Sequence, residues 1–78
     1  MLRTLLAFYT DGQLEVHRPS GQIFRFSVPQ IGTYQVFAVE AQPDHDEVWI
    51  LTGTHGARRP NRRYRYSATG MYRGSTAL

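Results

Sequence analysis

The spacing of apolar residues is the feature that most constrains the fold of this chain. No stretch repeats apolar residues at the three- and four-residue intervals of an amphipathic helix. Short runs rich in β-branched and aromatic residues recur instead, and turn residues separate them. The dipeptide Asp11-Gly12, a strong hairpin signature, precedes the strictly alternating run Gln13-Leu14-Glu15-Val16-His17. The pattern therefore predicts an all-β protein.

About seven short strands are expected, and the connections between them are short. Parallel pairs need long crossovers, so an antiparallel meander is the simplest topology. The run 2–9 is apolar throughout, which predicts a strand covered on both faces. A mass of 9.0 kDa fits one domain over residues 1–78, folded as a small sandwich, a barrel or a propeller-like pair of sheets. The predicted strands are residues 2–9, 13–17, 22–28, 33–41, 47–52, 62–67 and 71–73.

Two parts of the chain resemble each other. Residues 13–21 align without gaps on residues 62–70, with Gly21 matched to Gly70, and residues 5–12 resemble residues 49–56. The second copy then carries five additional residues, 57–61. These matches suggest an internal repeat that relates residues 2–28 to residues 45–75, although any two β-hairpins look somewhat alike.

The run Val36-Phe37-Ala38-Val39-Glu40-Ala41-Gln42-Pro43-Asp44-His45-Asp46-Glu47-Val48-Trp49-Ile50-Leu51-Thr52 resembles a β-propeller blade of the WD-repeat type. An inner strand, a turn containing Pro-Asp and an apolar second strand follow each other in such blades. The Gly-His and Trp-Asp landmarks of WD repeats are absent from the chain, and two blades do not close a propeller. The resemblance implies a binding or assembly scaffold and no particular chemistry.

Composition excludes several classes of function. There is no cysteine, so disulfides, thiolate metal sites and a cysteine nucleophile are excluded. The apolar run near the start is too short for a secretory signal or a membrane span. We therefore expect a cytoplasmic protein that does not bind a membrane.

Charge is distributed unevenly, and every basic residue is arginine. All six acidic residues lie in the first 52 residues, whereas residues 53–78 hold six arginines and no acid. Arginine forms bidentate hydrogen bonds with phosphate, so the cluster predicts a site for nucleic acid or another polyanion. A solvated basic loop, contacts with a partner protein, and a bias towards arginine codons are alternative explanations. The predicted binding residues are Arg58, Arg59, Arg62, Arg63 and Arg65.

Alternation along the sixth predicted strand separates Tyr64 and Tyr66 from Arg63 and Arg65. The tyrosines are expected to face the core and the arginines to face outward. This layout predicts electrostatic contacts between the arginines and the polyanion, and no stacking of the tyrosines on bases.

No catalytic or metal site is predicted. The acidic run Asp44-His45-Asp46-Glu47 lacks the spacing of a calcium loop and is expected to be a solvated turn. His55 near Arg58 has no second acid or metal ligand beside it in the sequence. We therefore expect a non-enzymatic, cofactor-free binding module. The alternative is a small interaction protein that forms homo-oligomers through sheet edges or an aromatic face, with acidic and basic ends meeting head to tail.

Overall fold

The computed structural model describes residues 4–78. These residues form seven strands, as the sequence predicts, and the two short 3₁₀ turns are Pro29–Ile31 and Pro43–His45. The part of the first predicted strand that falls on residues 2 and 3 lies outside the described residues. The strands are β1 Leu6–Thr10, β2 Gln13–His17, β3 Ile23–Ser27, β4 Gln35–Gln42, β5 Glu47–Gly53, β6 Arg62–Ser67 and β7 Tyr72–Ala77.

The strands belong to two antiparallel sheets, a three-stranded sheet in the order β1-β2-β3 and a four-stranded sheet in the order β4-β5-β6-β7. Residues 4–78 therefore form a pair of sheets and not a closed barrel. Each sheet is a meander, but β3 and β4 do not pair, because the chain passes from one sheet to the other between them. That connection includes the 3₁₀ turn at Pro29–Ile31, whose Ile31 is buried.

The core lies between the two sheets. Leu14 and Val16 of β2 are fully buried, and so are Val48 and Ile50 of β5. Burying an aliphatic side chain of this size stabilises the fold by roughly 1.5–3 kcal/mol. Strand β6 adds two tyrosines beside Val48 and Ile50 on the same sheet face, as the alternation predicts: Tyr64 and Tyr66 are 6% and 1% exposed.

Polar contacts fix how the two sheets sit against each other. A guanidinium nitrogen of Arg18, after β2, donates to a carboxylate oxygen of Asp46, before β5, at 2.8 Å. Within the four-stranded sheet, the Asp46 carbonyl accepts from the amide of Ala68 at 2.9 Å, which holds Asp46 beside β6. The Tyr66 hydroxyl donates to the side-chain oxygen of Gln30 at 2.9 Å. The contacts of Arg18 and of the Tyr66 hydroxyl join segments distant in sequence, so they depend on the packing of both sheets.

The meanders β1-β2-β3 and β5-β6-β7 share a hydrogen-bonding pattern. In the turn between β2 and β3, the amide of Arg18 donates to the carbonyl of Gln22, and the amide of Gly21 donates to the carbonyl of Arg18. In the turn between β6 and β7, the amides of Ser67 and Gly70 donate in the same way to the carbonyls of Met71 and Ser67. Strands β2 and β6 thus correspond from their first residues, Gln13 and Arg62. The three-stranded sheet has no counterpart of β4.

Register gives a correspondence for β1 and β5 that differs from the sequence alignment. Leu6 pairs with His17, and Val48 pairs with Tyr66. Because His17 and Tyr66 hold the same place in their meanders, Leu6 corresponds to Val48, whereas the alignment matched it to Ile50. The connection between β5 and β6, residues 54–61, is longer than the Asp11-Gly12 turn that joins β1 to β2.

One face of the three-stranded sheet is open. The expectation that the first strand is covered on both faces is wrong, because Leu6 and Phe8 are 47% and 53% exposed. Their strand neighbours Ala7 and Tyr9 pack on the core, so only one face of β1 is covered. Ile23 of β3, beside His17 in the sheet, is also exposed.

Candidate polyanion-binding site

A well-anchored loop carries the first arginines of the cluster. At its base, the amide of Asn61 donates to the carbonyl of Thr52 at 2.9 Å, and the amide of Ala57 donates to the carbonyl of Thr54 at 3.0 Å. The loop also folds against β5: a Cβ at Gly53 would lie 3.2 Å from the carbonyl oxygen of Arg59. Glycine at this position lets the loop backbone approach the strand closely.

Arg58 and Arg59 are exposed on this loop. Within residues 4–78, neither side chain makes a hydrogen bond or an ion pair. Both guanidinium groups therefore keep all their donors for a ligand. A phosphate or carboxylate can accept two parallel hydrogen bonds from one such group.

The other three predicted arginines already contact the chain. Arg62, at the start of β6, donates to the hydroxyl of Ser75 at 3.0 Å. Arg63 and Arg65 lie on the outer face of the four-stranded sheet, opposite the buried tyrosines. The structure therefore distributes the five arginines over the loop, the first residue of β6 and one sheet face.

Trp49 lies beneath Arg63. The guanidinium carbon of Arg63 is 4.4 Å from the centroid of the Trp49 ring, within the range of a cation–π interaction. His45 stacks on the same tryptophan, with ring centroids 6.3 Å apart. The Nε of Arg63 is buried and has no hydrogen-bond partner among residues 4–78. Arg63 is thus held flat on the sheet and is less available than the loop arginines.

Glu47 neutralises part of the outer face. Its carboxylate lies 3.9 Å from a nitrogen of Arg65 and 3.6 Å from Nε of Arg73, and it accepts a hydrogen bond from Nε1 of Trp49 at 3.0 Å. Arg65 also donates to the carbonyl of Arg73 at 3.2 Å. The charge of Arg65 is therefore partly neutralised by the buried carboxylate of Glu47. In the described part of the chain, no acidic side chain pairs with Arg58 or Arg59.

A second, smaller charged cluster lies on the outer face of the three-stranded sheet. Glu15 accepts from Nε of Arg25 and is paired with His17, both at 2.6 Å. The hydrogen bond with His17, and then that from Arg25, hold the pKa of Glu15 below its usual value. Both neighbours therefore favour the charged form of this carboxylate.

The remaining candidates show no assembled chemistry. Asp44 and His45 are exposed within the 3₁₀ turn Pro43–His45, and Asp46 is paired with Arg18. Between residues 4 and 78, no three His, Asp or Glu side chains are grouped to hold a metal ion. His55 is exposed on the loop and makes no side-chain hydrogen bond with the described residues. An open cleft of about 410 Å³ beside Arg18 and Asp46 is lined mainly by turn residues.

Sequence reasoning did not find Trp49, Glu47 or Arg73 as neighbours of the arginines. Trp49 pairs with Arg65 across β5 and β6, and Arg63 is its diagonal neighbour. That register follows from the length of the loop between the strands, and the sequence alone does not give it.

No protein-family model matches the chain, and neither the curated proteins nor the solved structures contain a significant match to it. Among the described residues, none of the helical segments is long and apolar enough to cross a membrane.

Proposed function

We propose that the chain is a non-enzymatic binding module that holds a polyanion, most directly nucleic acid, through its arginine segment. The loop arginines Arg58 and Arg59 are the primary contacts. Arg62, Arg63 and Arg65 extend the positive surface from the loop onto the sheet. A ligand with regularly spaced phosphates suits this arrangement because it can contact several guanidinium groups at once.

The observation that supports this proposal best is the exposure of Arg58 and Arg59 with no partner among residues 4–78. The other arginines of this described part are engaged: Arg18 is paired with Asp46, Arg25 with Glu15, and Arg73 lies beside Glu47. The loop itself is held by backbone hydrogen bonds at Thr52 and Thr54. An ordered loop that presents two unneutralised guanidinium groups loses less conformational entropy on binding than a mobile one.

Because the tyrosines are buried, we expect the arginines to bind the phosphate backbone of the ligand, and we expect no stacking on its bases. Tyr64 and Tyr66 face the core, so they are not available as platforms for bases. Trp49 is occupied by Arg63 on one face. We therefore expect similar affinities for oligonucleotides of different sequence.

The test is a binding titration with a fluorescent single-stranded oligonucleotide and with inorganic polyphosphate. The double variant R58A/R59A is expected to bind at least tenfold more weakly than the wild type, because it loses the two arginines without internal partners. The variant R58K/R59K keeps both charges and is expected to retain most of the affinity, with a loss from the missing bidentate geometry.

A matched control removes an arginine elsewhere. Arg25 is also exposed, with 67% of its side chain accessible, but it lies on the three-stranded sheet and is paired with Glu15. The variant R25A should bind the oligonucleotide as the wild type does. Equal losses in R25A and in the single variants R58A and R59A would contradict a local site. Absence of binding by the wild type at low salt would overturn the proposal.

A further inference from the structure

The two sheets pack through faces that do not correspond to each other. In the three-stranded sheet the covered face carries Leu14 and Val16. The residues of β6 at the corresponding positions are Arg63 and Arg65, which lie on the outer face of the four-stranded sheet. The covered face of the four-stranded sheet carries Tyr64 and Tyr66 instead. The contact is therefore heterologous, with one face of the first meander against the opposite face of the second.

This packing leaves the counterpart of each covered face open. Val48 and Ile50 are 0% exposed, whereas the corresponding Leu6 and Phe8 are 47% and 53% exposed. Ile23 pairs with His17 and Tyr72 pairs with Tyr66, so Ile23 and Tyr72 hold corresponding positions in the two meanders. Ile23, at 48% exposed, completes the open apolar group. We call the group Leu6, Phe8 and Ile23, with Glu15 among them, the open head face.

The opposite open surface is the outer face of the four-stranded sheet. It carries Trp49, Leu51, Arg63 and Arg65. In the register of the meanders, these four residues correspond to Ala7, Tyr9, Leu14 and Val16, which cover the core from the three-stranded sheet. We call these four residues the open tail face. Trp49 and Leu51 are only half-buried, so they retain apolar surface that a partner can cover.

We propose that a second copy of this chain docks its open tail face on the open head face, repeating between chains the packing that joins the two sheets within one chain. Exposed apolar side chains on one side would then meet Trp49 and Leu51 on the other. This inference goes beyond the proposed polyanion binding and does not depend on it.

Charge also favours this occupant. On the head face the carboxylate of Glu15 is already paired with Arg25, so these two charges balance each other, whereas the tail face holds Arg63 and Arg65. Docking head to tail therefore avoids the repulsion between arginines that tail against tail would bring. Docking covers Arg63 and Arg65, so in the assembly these two no longer extend the polyanion surface. The loop arginines Arg58 and Arg59 are outside both faces and stay exposed.

A heterologous contact repeats until the rotation closes a ring, or continues as a filament. Rings of sheets packed face to face hold about four to eight sheets. Each chain supplies two sheets, so a closed ring contains two to four copies. The expected mass is therefore two to four times 9.0 kDa.

Light scattering after size exclusion, at micromolar concentration, tests the proposal on the full chain. The wild type is expected at two to four times the chain mass. F8D places a charge in the head face and R65E reverses a charge in the tail face, so each is expected at the mass of one chain. M71D is the matched control, since Met71 is 66% exposed in the β6–β7 turn and belongs to neither face. It should keep the wild-type mass.

Mixing the variants separates a heterologous contact from a symmetric one. F8D retains its tail face and R65E retains its head face, so an equimolar mixture is expected to form a complex of two chains. Circular dichroism checks that each variant folds, and I23D replaces F8D if F8D does not. A wild type at the mass of one chain, a wild-type mass for F8D, or a mixture without the two-chain complex would each overturn the proposal.

Discussion

Phe8 and Ile50 occupy corresponding positions in the two meanders, but Phe8 is exposed and Ile50 is buried. Phe8 pairs with Glu15, the third residue of β2, and Ile50 pairs with Tyr64, the third residue of β6. Phe8 is 53% exposed, whereas Ile50 is completely buried. The difference arises from the neighbouring sheet, because a sheet covers the face of Ile50 and none covers the face of Phe8.

This relationship predicts a large difference between two truncations. I50A should lower the free energy of unfolding by about 2–5 kcal/mol, because it leaves a cavity in the core. F8A should lower the free energy of unfolding of the dilute single chain by only about 1 kcal/mol or less, because the half-exposed ring loses an edge contact with His17 and leaves no cavity in the core. Urea denaturation at low protein concentration measures both values. Similar losses for the two variants would show that the face of Phe8 is covered within one chain.

Tyr66 makes the stability sensitive to alkali. The pKa of Tyr66 is raised because burial disfavours the phenolate, while a tyrosine in the unfolded chain ionises near pH 10. The stability that depends on the neutral phenol is complete below about pH 10 and falls as the pH rises, since the unfolded chain then releases a proton that the folded chain keeps.

The variant Y66F checks this effect. It loses the hydrogen bond to Gln30, which costs about 0.5–1.5 kcal/mol at neutral pH. Its stability should fall less steeply than that of the wild type above about pH 10. Parallel stability curves for the two proteins in alkali would contradict the role of Tyr66.

Gly53 links the core of the four-stranded sheet to the arginine loop. In G53A the new Cβ would lie 2.8 Å from a ring carbon of Phe37 and 3.2 Å from the carbonyl of Arg59. The loop must shift, so oligonucleotide affinity is expected to fall although no charge changes. T54A, in the same loop, introduces no such contact and is the control. Wild-type affinity in G53A would show that the position of the loop does not matter.

Arg63 shields the only tryptophan of the chain. R63A should shift the emission of Trp49 to longer wavelength, because water replaces the guanidinium over the ring. The expected loss of stability is about 0.5–1 kcal/mol, the usual range for a cation–π contact that is not fully buried. Unchanged emission would indicate that Arg63 does not occupy this position in solution.

Local chemistry made much of the strand content predictable. Strand β6 has the predicted bounds, and its tyrosines and arginines separate onto the two faces as their alternation requires. Asp11 and Gly12 form the expected tight turn, with φ of 48° and 81°. These features depend on neighbours in sequence, so patterns of a few residues are enough to identify them.

The arrangement of the sheets was not predictable in the same way. An apolar strand such as β1 has the same sequence pattern whether one face or both are covered. The break between β3 and β4, and the position of Arg63 over Trp49, depend on contacts between distant segments. For the candidate site, the sequence identified the five arginines. It did not show that, among residues 4–78, Arg58 and Arg59 have no partner whereas the other three already contact the chain.

The salt dependence of oligonucleotide binding tests the central claim most directly. Each phosphate contact to a single strand contributes about 0.7 to the slope of log affinity against log salt concentration. If Arg58 and Arg59 each contact a phosphate, the slope for R58A/R59A should be smaller than that of the wild type by about 1.4. An unchanged slope in this variant, or wild-type binding that does not depend on salt, would contradict the account.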